Sequence, residues 1–305
     1  MTLSPTLLLV AYCLAIAGFS LVGGLLPNWV RMTHTRTQSA MSFVSGLMLG
    51  VAFFHLLPHS VAMLGGPAAT DIAVRWLMLG LIVMLLLLRM FHFHQHDFSD
   101  EEEHLHDHDH DHDHDHDHDH DHAAAAHAHA VPSRGQATPV HRMSWLGIAL
   151  GLGVHTLIDG IALGAVMLGE IADGAAGLVG VGVFLAILLH KPLDAMSITT
   201  VMAAGGWSRS ARATNNLLFA LMCPLGALLF FFGVDFLGDN RDYLVAAALA
   251  FSAGAFICIA LSDLLPEVHF HSHDRTRLTL AFLLGIGLAY AIGALEPANF
   301  HLPVH

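Results

Sequence analysis

Four residues inside otherwise apolar stretches of the sequence could together hold a metal ion. His155 and Asp159 are four residues apart, and so are His190 and Asp194. Residues four apart on a helix lie on the same face, so each pair directs an imidazole and a carboxylate to one side. Two such helices packed together would present two His and two Asp, a set suited to tetrahedral Zn²⁺. The spacing therefore predicts a metal site between two helices.

The surroundings of these pairs strengthen that prediction. Titratable groups are costly inside long apolar stretches and usually mark a site or a pathway. A single buried histidine is better explained by a hydrogen bond to a neighbouring helix, but two His/Asp pairs on consecutive apolar stretches favour a shared metal site. Pro192, between His190 and Asp194, predicts a kink that frees a backbone carbonyl beside the ligands.

The elements that must position these residues are membrane-spanning helices. Of the 305 residues, 55% are hydrophobic and only 12% are charged, whereas soluble domains contain about a quarter charged residues. A helix needs about 20 apolar residues to cross a bilayer. The predicted fold class is therefore an all-α integral membrane protein with eight transmembrane helices. The predicted spans are 6–30, 41–64, 72–91, 143–169, 174–203, 211–233, 243–267 and 278–296.

The arginines predict the orientation of the spans. They cluster in the loops after spans 1, 3, 5 and 7, whereas the opposite loops contain only Arg75 and Arg241. Because basic residues favour the cytoplasmic side, both termini are expected on the outer side of the membrane. The expected membrane is the plasma membrane, which is the inner membrane if the protein is bacterial. Four regions follow: spans 1–3 in 1–91, a cytoplasmic loop in 92–142, spans 4 and 5 with the metal site in 143–203, and spans 6–8 in 204–305.

The loop 92–142 contains a low-complexity His/Asp tract with eight consecutive Asp-His pairs. Such a composition cannot bury a core and predicts disorder. Imidazole binds zinc, copper and nickel well, so weak metal binding is expected. The tract is then either a solvated spacer that binds metal incidentally or a metal buffer at the inner mouth. Its candidate ligands are His108, His110, His112, His114, His116, His118, His120 and His122.

A repeated pattern relates span 2 to span 7. Span 2 ends in His55-Leu-Leu-Pro-His59, and span 7 ends in Asp263-Leu-Leu-Pro-Glu267. The predicted topology runs these spans in opposite directions, which is typical of an inverted repeat with a 3+2+3 arrangement; chance similarity of two apolar helices is the alternative. His55 and His59 are then expected toward the outer mouth of a pathway. Asp263 and Glu267 are expected toward its inner mouth.

Lys191 is the only lysine in the chain, and it lies within span 5 next to His190. A buried ammonium is expensive without an anionic partner. Asp159 and Asp194 are the two candidate partners. The alternative is that the side chain snorkels to the membrane surface, which its mid-span position disfavours.

Taken together, these features resemble the ZIP (Zrt/Irt-like protein) family of metal transporters. The resemblance covers essentially the whole chain: eight spans, the His-rich loop after span 3, the paired motifs of spans 4 and 5, Asp-Leu-Leu-Pro-Glu on span 7, and Cys223-Pro-Leu-Gly-Ala on span 6. It implies a transporter and not an enzyme, one that moves Zn²⁺, or in some members iron, manganese or cadmium, toward the cytoplasm. The ligand positions of the family match His155, Asp159, His190 and Asp194.

The chain departs from the family pattern at three places. Thr156 stands where asparagine is common, the proline before the acid of span 4 is missing, and Lys191 stands where a carboxylate for a second ion is common. The resemblance therefore implies a single-ion site with Thr156 and Lys191 beside the transport pathway. Our hypothesis is that the Lys191 ammonium takes the place of a second ion.

Two other functions share parts of this pattern. A cation-diffusion-facilitator exporter also has HxxxD pairs and a His-rich loop, but that family has six spans and a soluble C-terminal domain. A membrane-embedded zinc hydrolase would use similar ligands to activate water, yet the sequence contains no HExxH motif and no dedicated nucleophile.

The ligand types narrow the choice of ion and partners. Two imidazoles with two carboxylates favour Zn²⁺, and Fe²⁺, Mn²⁺, Co²⁺ and Cd²⁺ remain compatible. No resident cofactor is expected, since the ion is the transported substrate. The expected partners are the divalent ion and the lipid bilayer; a nucleic acid is excluded because no basic face is present. The oligomeric state is left open, with a homodimer as one option.

Overall fold

The structure is a computed structural model that describes residues 4–26, 34–92, 140–172, 178–270 and 275–295. The described chain is helical and follows the predicted order of spans. The elements are α1 (Pro5–Leu25), α2 (His34–Val51), a π-helical segment (Ala52–Leu56), α3 (Leu57–Leu64), α4 (Ala69–His92), α5 (Val140–Ala172), α6 (Val181–Ala204), α7 (Arg209–Gly233), a 3-10 segment (Val234–Asn240), α8 (Arg241–Phe270) and α9 (Arg275–Leu295).

Eight described helical stretches are long and apolar enough to cross a membrane, which confirms the predicted eight spans. Span 2 comprises α2, the π segment and α3, and the 3-10 segment between α7 and α8 is divided between spans 6 and 7. Large apolar side chains cover the outside, including Leu14, Leu85 and Leu284. A helix that is apolar all round suits a lipid environment, and the chain is therefore an integral membrane protein.

The boundaries of spans 1 and 5 differ from the prediction. Span 1 was expected to reach residue 30; α1 ends at Leu25, and residues 27–30 lie outside the described residues. Span 5 was expected to begin at residue 174, but α6 begins at Val181. Gly180, just before it, has a φ of 73°, a left-handed conformation that a helix cannot pass through. Hydropathy does not reveal this break because the residues around it are apolar.

Glycines bring several helix pairs into backbone contact. Between α2 and α9, a Cβ added at Gly46 would overlap the backbone of Phe282, and one added at Gly285 would overlap that of Phe43. Small residues permit this approach where a larger side chain would hold the helices apart. The pair α4 and α8 meets in the same way through Gly80 and Gly254.

Glycines also bring the helices that carry the predicted ligands into backbone contact with their neighbours. A Cβ at Gly160 on α5 would overlap the carbonyl of Cys223 on α7. On the other side, α1 packs against α6 through Gly23, which lies on the backbone of Pro192. Gly160 therefore lets α5 approach α7 closely, and α6 runs as one helix through Pro192.

Span 2 is interrupted by the π segment Ala52–Leu56, which the sequence analysis did not predict. Within it, the N–H of Leu57 donates to the carbonyl of Ala52, five residues back. Pro58 follows directly and has no N–H to donate, so the regular ladder loses a bond at this point. The extra residue per turn changes the direction of His55, which lies inside the segment.

Candidate metal centre

The four predicted ligands converge at the contact between α5 and α6. Asp159 Oδ2 lies 3.4 Å from His155 Nε2 and 3.1 Å from His190 Nε2. Asp194 Oδ2 lies 3.6 Å and 3.8 Å from the same two nitrogens. Bonds to zinc of about 2.0–2.2 Å place neighbouring atoms of a tetrahedral set roughly 3.3–3.6 Å apart. The spacing of these residues, here called the central cluster, suits one ion of that size.

The central cluster has a tight core and a looser fourth member. His155, Asp159 and His190 can each place one ligand atom within 4.8 Å of the others, and all three are buried. Asp194 is not part of this group, and its side chain is 20% exposed. Asp194 is therefore the least buried of the four residues of the cluster.

The ring orientation of His190 is set by its own helix. Its Nδ1 lies 2.8 Å from the carbonyl of Ala186 and can donate to it in the appropriate tautomer. In that tautomer Nε2 carries the lone pair and faces Asp159. Two other polar atoms of the cluster, His155 Nδ1 and Asp159 Oδ1, are buried without a hydrogen-bond partner in the described structure. His155 and Asp159 therefore each keep one unpaired polar atom in addition to the atom that converges in the cluster.

Lys191 lies between the two carboxylates of the central cluster. Its ammonium is 2.5 Å from Asp159 Oδ2 and 3.1 Å from Asp194 Oδ2. It also donates to Thr156 Oγ1 at 3.0 Å, and the side chain is 1% exposed. The ring of Phe219 lies 5.6 Å from the ammonium. The structure therefore places Lys191 on both predicted partners and not at the membrane surface.

The structure places His55 and His59 apart from the central cluster. His55 Nε2 lies 2.9 Å from the carbonyl of Ala289, and His59 Nδ1 lies 2.8 Å from the carbonyl of His55. The ring of His55 packs where a side chain on Gly182 would be. Gly182 precedes His190 by eight residues on α6, which corresponds to about 12 Å along a helix. These two residues, here called the outer pair, are buried beside the cluster's helix but are not part of its ligand set.

The remaining predicted residues lie outside the part of the chain whose side chains the structure describes. Asp263 and Glu267 fall within α8, but their side chains lie outside the described residues. The loop histidines from His108 to His122 also lie outside the described residues.

Glu170 is a structurally important residue that the sequence analysis missed. It lies in the last turn of α5, is 4% exposed, and accepts a hydrogen bond of 2.8 Å from the N–H of Gly180. This bond ties the end of α5 to the start of α6, the two helices of the central cluster. Glu170 could have been identified from the sequence, because an acidic residue within the last turn of an apolar span usually has a specific partner.

A family model and several relatives match the sequence. The model described as ZIP zinc transporter matches residues 4–293. Zinc transporter ZIP9-B of Xenopus laevis is 34% identical over 134 residues, which are 41% of this chain and 42% of the relative. Zinc transporter foi of Drosophila melanogaster is 29% identical over 157 residues, which are 50% of this chain and 20% of the relative.

A third relative, zinc transporter ZIP10 of Homo sapiens, is 28% identical over 132 residues, covering 43% of this chain and 14% of the relative. The matched stretch therefore spans about two fifths of the frog relative and a smaller share of the other two. The family model, in contrast, extends over nearly the whole sequence, from the start of α1 into α9. On that match, the chain belongs to the ZIP zinc transporter family.

Proposed function

We propose that this protein moves Zn²⁺ across a membrane toward the cytoplasm through the central cluster. The observation that carries the proposal is the convergence of two imidazoles and two carboxylates between two helices that are long enough to span a bilayer. Ionisable groups inside a membrane usually line an ion pathway. Several relatives are named zinc transporters, which supports the same substrate.

The proposed direction rests on the proposed orientation. With the arginine-rich loops inside, both termini face outside and the His-rich loop lies in the cytoplasm of a cell whose plasma membrane holds the protein. The glycine contacts support the 3+2+3 inverted repeat, because α2 meets α9 in the way that α8 meets α4. In such a repeat, span 2 corresponds to span 7 and span 8 corresponds to span 3. The contact between α2 and α9 is then the repeat equivalent of the contact between α8 and α4.

The pathway that we propose runs from the outer pair, through the central cluster, to Asp263 and Glu267. His55 and His59 are buried, and the ring of His55 packs against Gly182 on the cluster's helix α6. The loop histidines then buffer the ion on the inner side. Neutral imidazole and carboxylate ligands accept Fe²⁺, Mn²⁺, Co²⁺ and Cd²⁺ as well, so selectivity follows from the geometry of the cluster and from the supply of each ion.

In this proposal, the Lys191 ammonium balances the charge of the two carboxylates when no metal ion is bound. Two buried carboxylates repel each other, and the ammonium between them removes that repulsion. An arriving divalent ion provides the carboxylates with a stronger partner, so the ammonium must give up at least one of its contacts. Thr156 holds the displaced ammonium near the cluster, ready to return when the ion leaves. The site consequently binds one ion per chain.

The two alternative functions gain no support. The family match is to ZIP transporters and not to cation-diffusion-facilitator exporters. A hydrolase needs an open coordination position for water, whereas four side chains are available here to fill a tetrahedral set. The family is one of transporters.

Uptake into liposomes tests the proposal. The full chain is reconstituted with a fluorescent zinc indicator inside, and Zn²⁺, Fe²⁺, Mn²⁺, Co²⁺ and Cd²⁺ are added outside in turn. We expect saturable uptake of Zn²⁺ that Asp159→Asn abolishes and that Asp242→Asn, at an exposed acid outside the cluster, leaves unchanged. Absence of uptake by a folded, correctly inserted protein, or equal uptake by Asp159→Asn, would overturn the proposal.

A further inference from the structure

A cavity of about 490 Å³ lies at one end of the helix bundle, close to the central cluster along α6, because its lining residue Thr199 follows Asp194 by five residues. It is formed where the end of α1, the last turns of α6 and the first turns of α7 meet. Two arginines, Arg209 and Arg212, contribute the charge, and the remaining walls are small or uncharged. The other lining residues are Gly24, Leu25, Thr199, Ala213 and Asn216.

The charge of this cavity is not balanced by the protein. Among the described side chains, neither Arg209 nor Arg212 forms an ion pair. Arg241, the first residue of α8, in contrast pairs with both Asp235 at 3.0 Å and Asp242 at 3.2 Å. Both cavity arginines also lie in the first turn of α7, where the helix dipole is positive. Two guanidinium groups and a helix N-terminus therefore create a positive potential with no acidic side chain on the cavity wall.

Two buried polar atoms at the cavity have no partner in the described structure. One is Nε of Arg212, and the other is Oδ1 of Asn216, whose residue is 4% exposed. The Nδ2 of Asn216 is used, because it donates to the carbonyl of Leu21 at 3.1 Å. Thr199 is also used, since its hydroxyl donates to its own helix. A buried donor and a buried acceptor without partners are costly unless a ligand or water satisfies them.

We propose that this cavity binds a phosphate group. Arginine is the side chain that best matches phosphate, because its planar N–H groups can bind two oxygens at once. Asn216 Oδ1 can accept a hydrogen bond from a hydroxyl attached to the same ligand. The phosphate belongs to the headgroup of an anionic phospholipid or to a free phosphate compound. Basic pockets between transmembrane helices commonly hold such headgroups, and the inference does not depend on zinc transport.

Retention of phospholipid by the purified full chain tests the site. The chain is reconstituted in nanodiscs of phosphatidylglycerol and phosphatidylcholine, extracted, and examined by native mass spectrometry. We expect one phosphatidylglycerol to remain bound to the unaltered chain, and about tenfold less retention in the double variant Arg209→Gln/Arg212→Gln. The matched control is Arg241→Gln, which removes an arginine that has acidic partners and should change nothing. Ala213→Leu, which fills the cavity from its wall, should reproduce the loss if the double variant does not fold.

A second measurement separates the two sources of phosphate. Inorganic phosphate is titrated into the unaltered chain in neutral detergent, with binding followed by calorimetry. Saturable binding that the double variant lacks, with no lipid retained, assigns the site to free phosphate compounds. Lipid retention that inorganic phosphate does not displace assigns it to a phospholipid. Equal retention of both lipids together with no phosphate binding, or the same loss in Arg241→Gln, would overturn the proposal.

Discussion

The central cluster and the outer pair both use residues four apart on one helix, but they hold their polar atoms in different ways. His155 and Asp159 on α5 meet an equivalent pair on α6, and their ligand atoms approach one another within 3.1–3.8 Å. His55 and His59 instead contact backbone carbonyls. Spacing on one helix therefore brings side chains to one face, and a second helix with matching groups is needed to bring four ligand atoms within reach of one ion.

The environments of the two regions also predict different roles. The central cluster contains two acids and a lysine, so it has a charge balance that an ion can change. The outer pair consists of imidazoles that contact main-chain oxygen atoms, which position the rings. We expect binding strength to depend on the cluster and the rate of arrival to depend on the pair.

The largest effect is expected from Asp159→Ala. This carboxylate contacts both imidazoles and Lys191, and its removal leaves the ammonium buried with one fewer anion. Zinc affinity should fall by more than about a hundredfold, beyond the 10–100-fold typical of losing a residue that only supports a ligand. Calorimetry measures the affinity, and liposome uptake measures transport. Zinc binding at the normal affinity would remove Asp159 from the site, and His155, His190 and Asp194 are tested in the same way.

A smaller loss is expected when α5 is displaced and its ligands are kept. Gly160→Ala forces a methyl group against the backbone of Cys223, which should cost about 1–3 kcal/mol of stability and weaken zinc binding. Gly153→Ala on the same helix has open space around its added methyl and is the matched control. Thermal unfolding and zinc titration of both variants give the comparison. Equal behaviour would mean that helix approach does not set the geometry of the cluster.

Lys191 variants should change affinity and stoichiometry without abolishing the site. Lys191→Ala removes the competing cation, so we expect tighter zinc binding, by several-fold or more, and slower release. Lys191→Glu adds a carboxylate, and the number of bound ions should rise from one per chain toward two. Calorimetry counts the ions, and size-exclusion chromatography verifies folding. Unchanged stoichiometry in Lys191→Glu together with unchanged release in Lys191→Ala would contradict the role given to this lysine.

The outer pair should affect rate more than affinity. His55→Ala and His59→Ala are expected to slow uptake by about tenfold or less, the lower end of the effect of losing a supporting residue. The equilibrium affinity for Zn²⁺ should stay within about twofold, because neither ring belongs to the central ligand set. Uptake kinetics and calorimetry on the same preparation separate the two quantities. A large loss of affinity would make the pair part of the binding site.

The smallest effect is expected from deletion of residues 100–130. Their composition disfavours a packed structure, and they lie in a loop between spans. Uptake at saturating zinc should be retained, and a change is expected only in how the protein responds to excess metal. Surface labelling confirms that the deleted form reaches the membrane. Loss of uptake by a correctly inserted protein would assign the loop to the pathway itself.

Much of the fold follows from the sequence because bilayer thickness and helix periodicity leave few choices. The eight spans and the shared faces of His155 with Asp159, and of His190 with Asp194, needed only residue counts and the 3.6-residue turn. The position of Lys191 between both carboxylates was open, since it depends on how closely two helices approach. The sequence identified Asp159 and Asp194 as candidate partners of Lys191, but it could not show that the ammonium contacts both of them.

The start of α6 and the π segment show a different limit. Gly180 adopts a left-handed conformation in a stretch so apolar that hydropathy continues through it. In span 2, Pro58 indicates a missing donor but not which carbonyl accepts the neighbouring N–H instead. Hydrophobic pattern reports burial, whereas these features depend on backbone conformation at single residues.

The burial of Lys191 also gives the protein an internal chemical reporter. An acylating reagent that attacks primary amines would find one lysine side chain in the whole chain, and that side chain is 1% exposed. In its resting form the lysine should resist modification, and any conformation that admits water to the carboxylates should make it react. The rate of acylation at this residue, read as a mass shift on one peptide, then gives the frequency with which the interior opens.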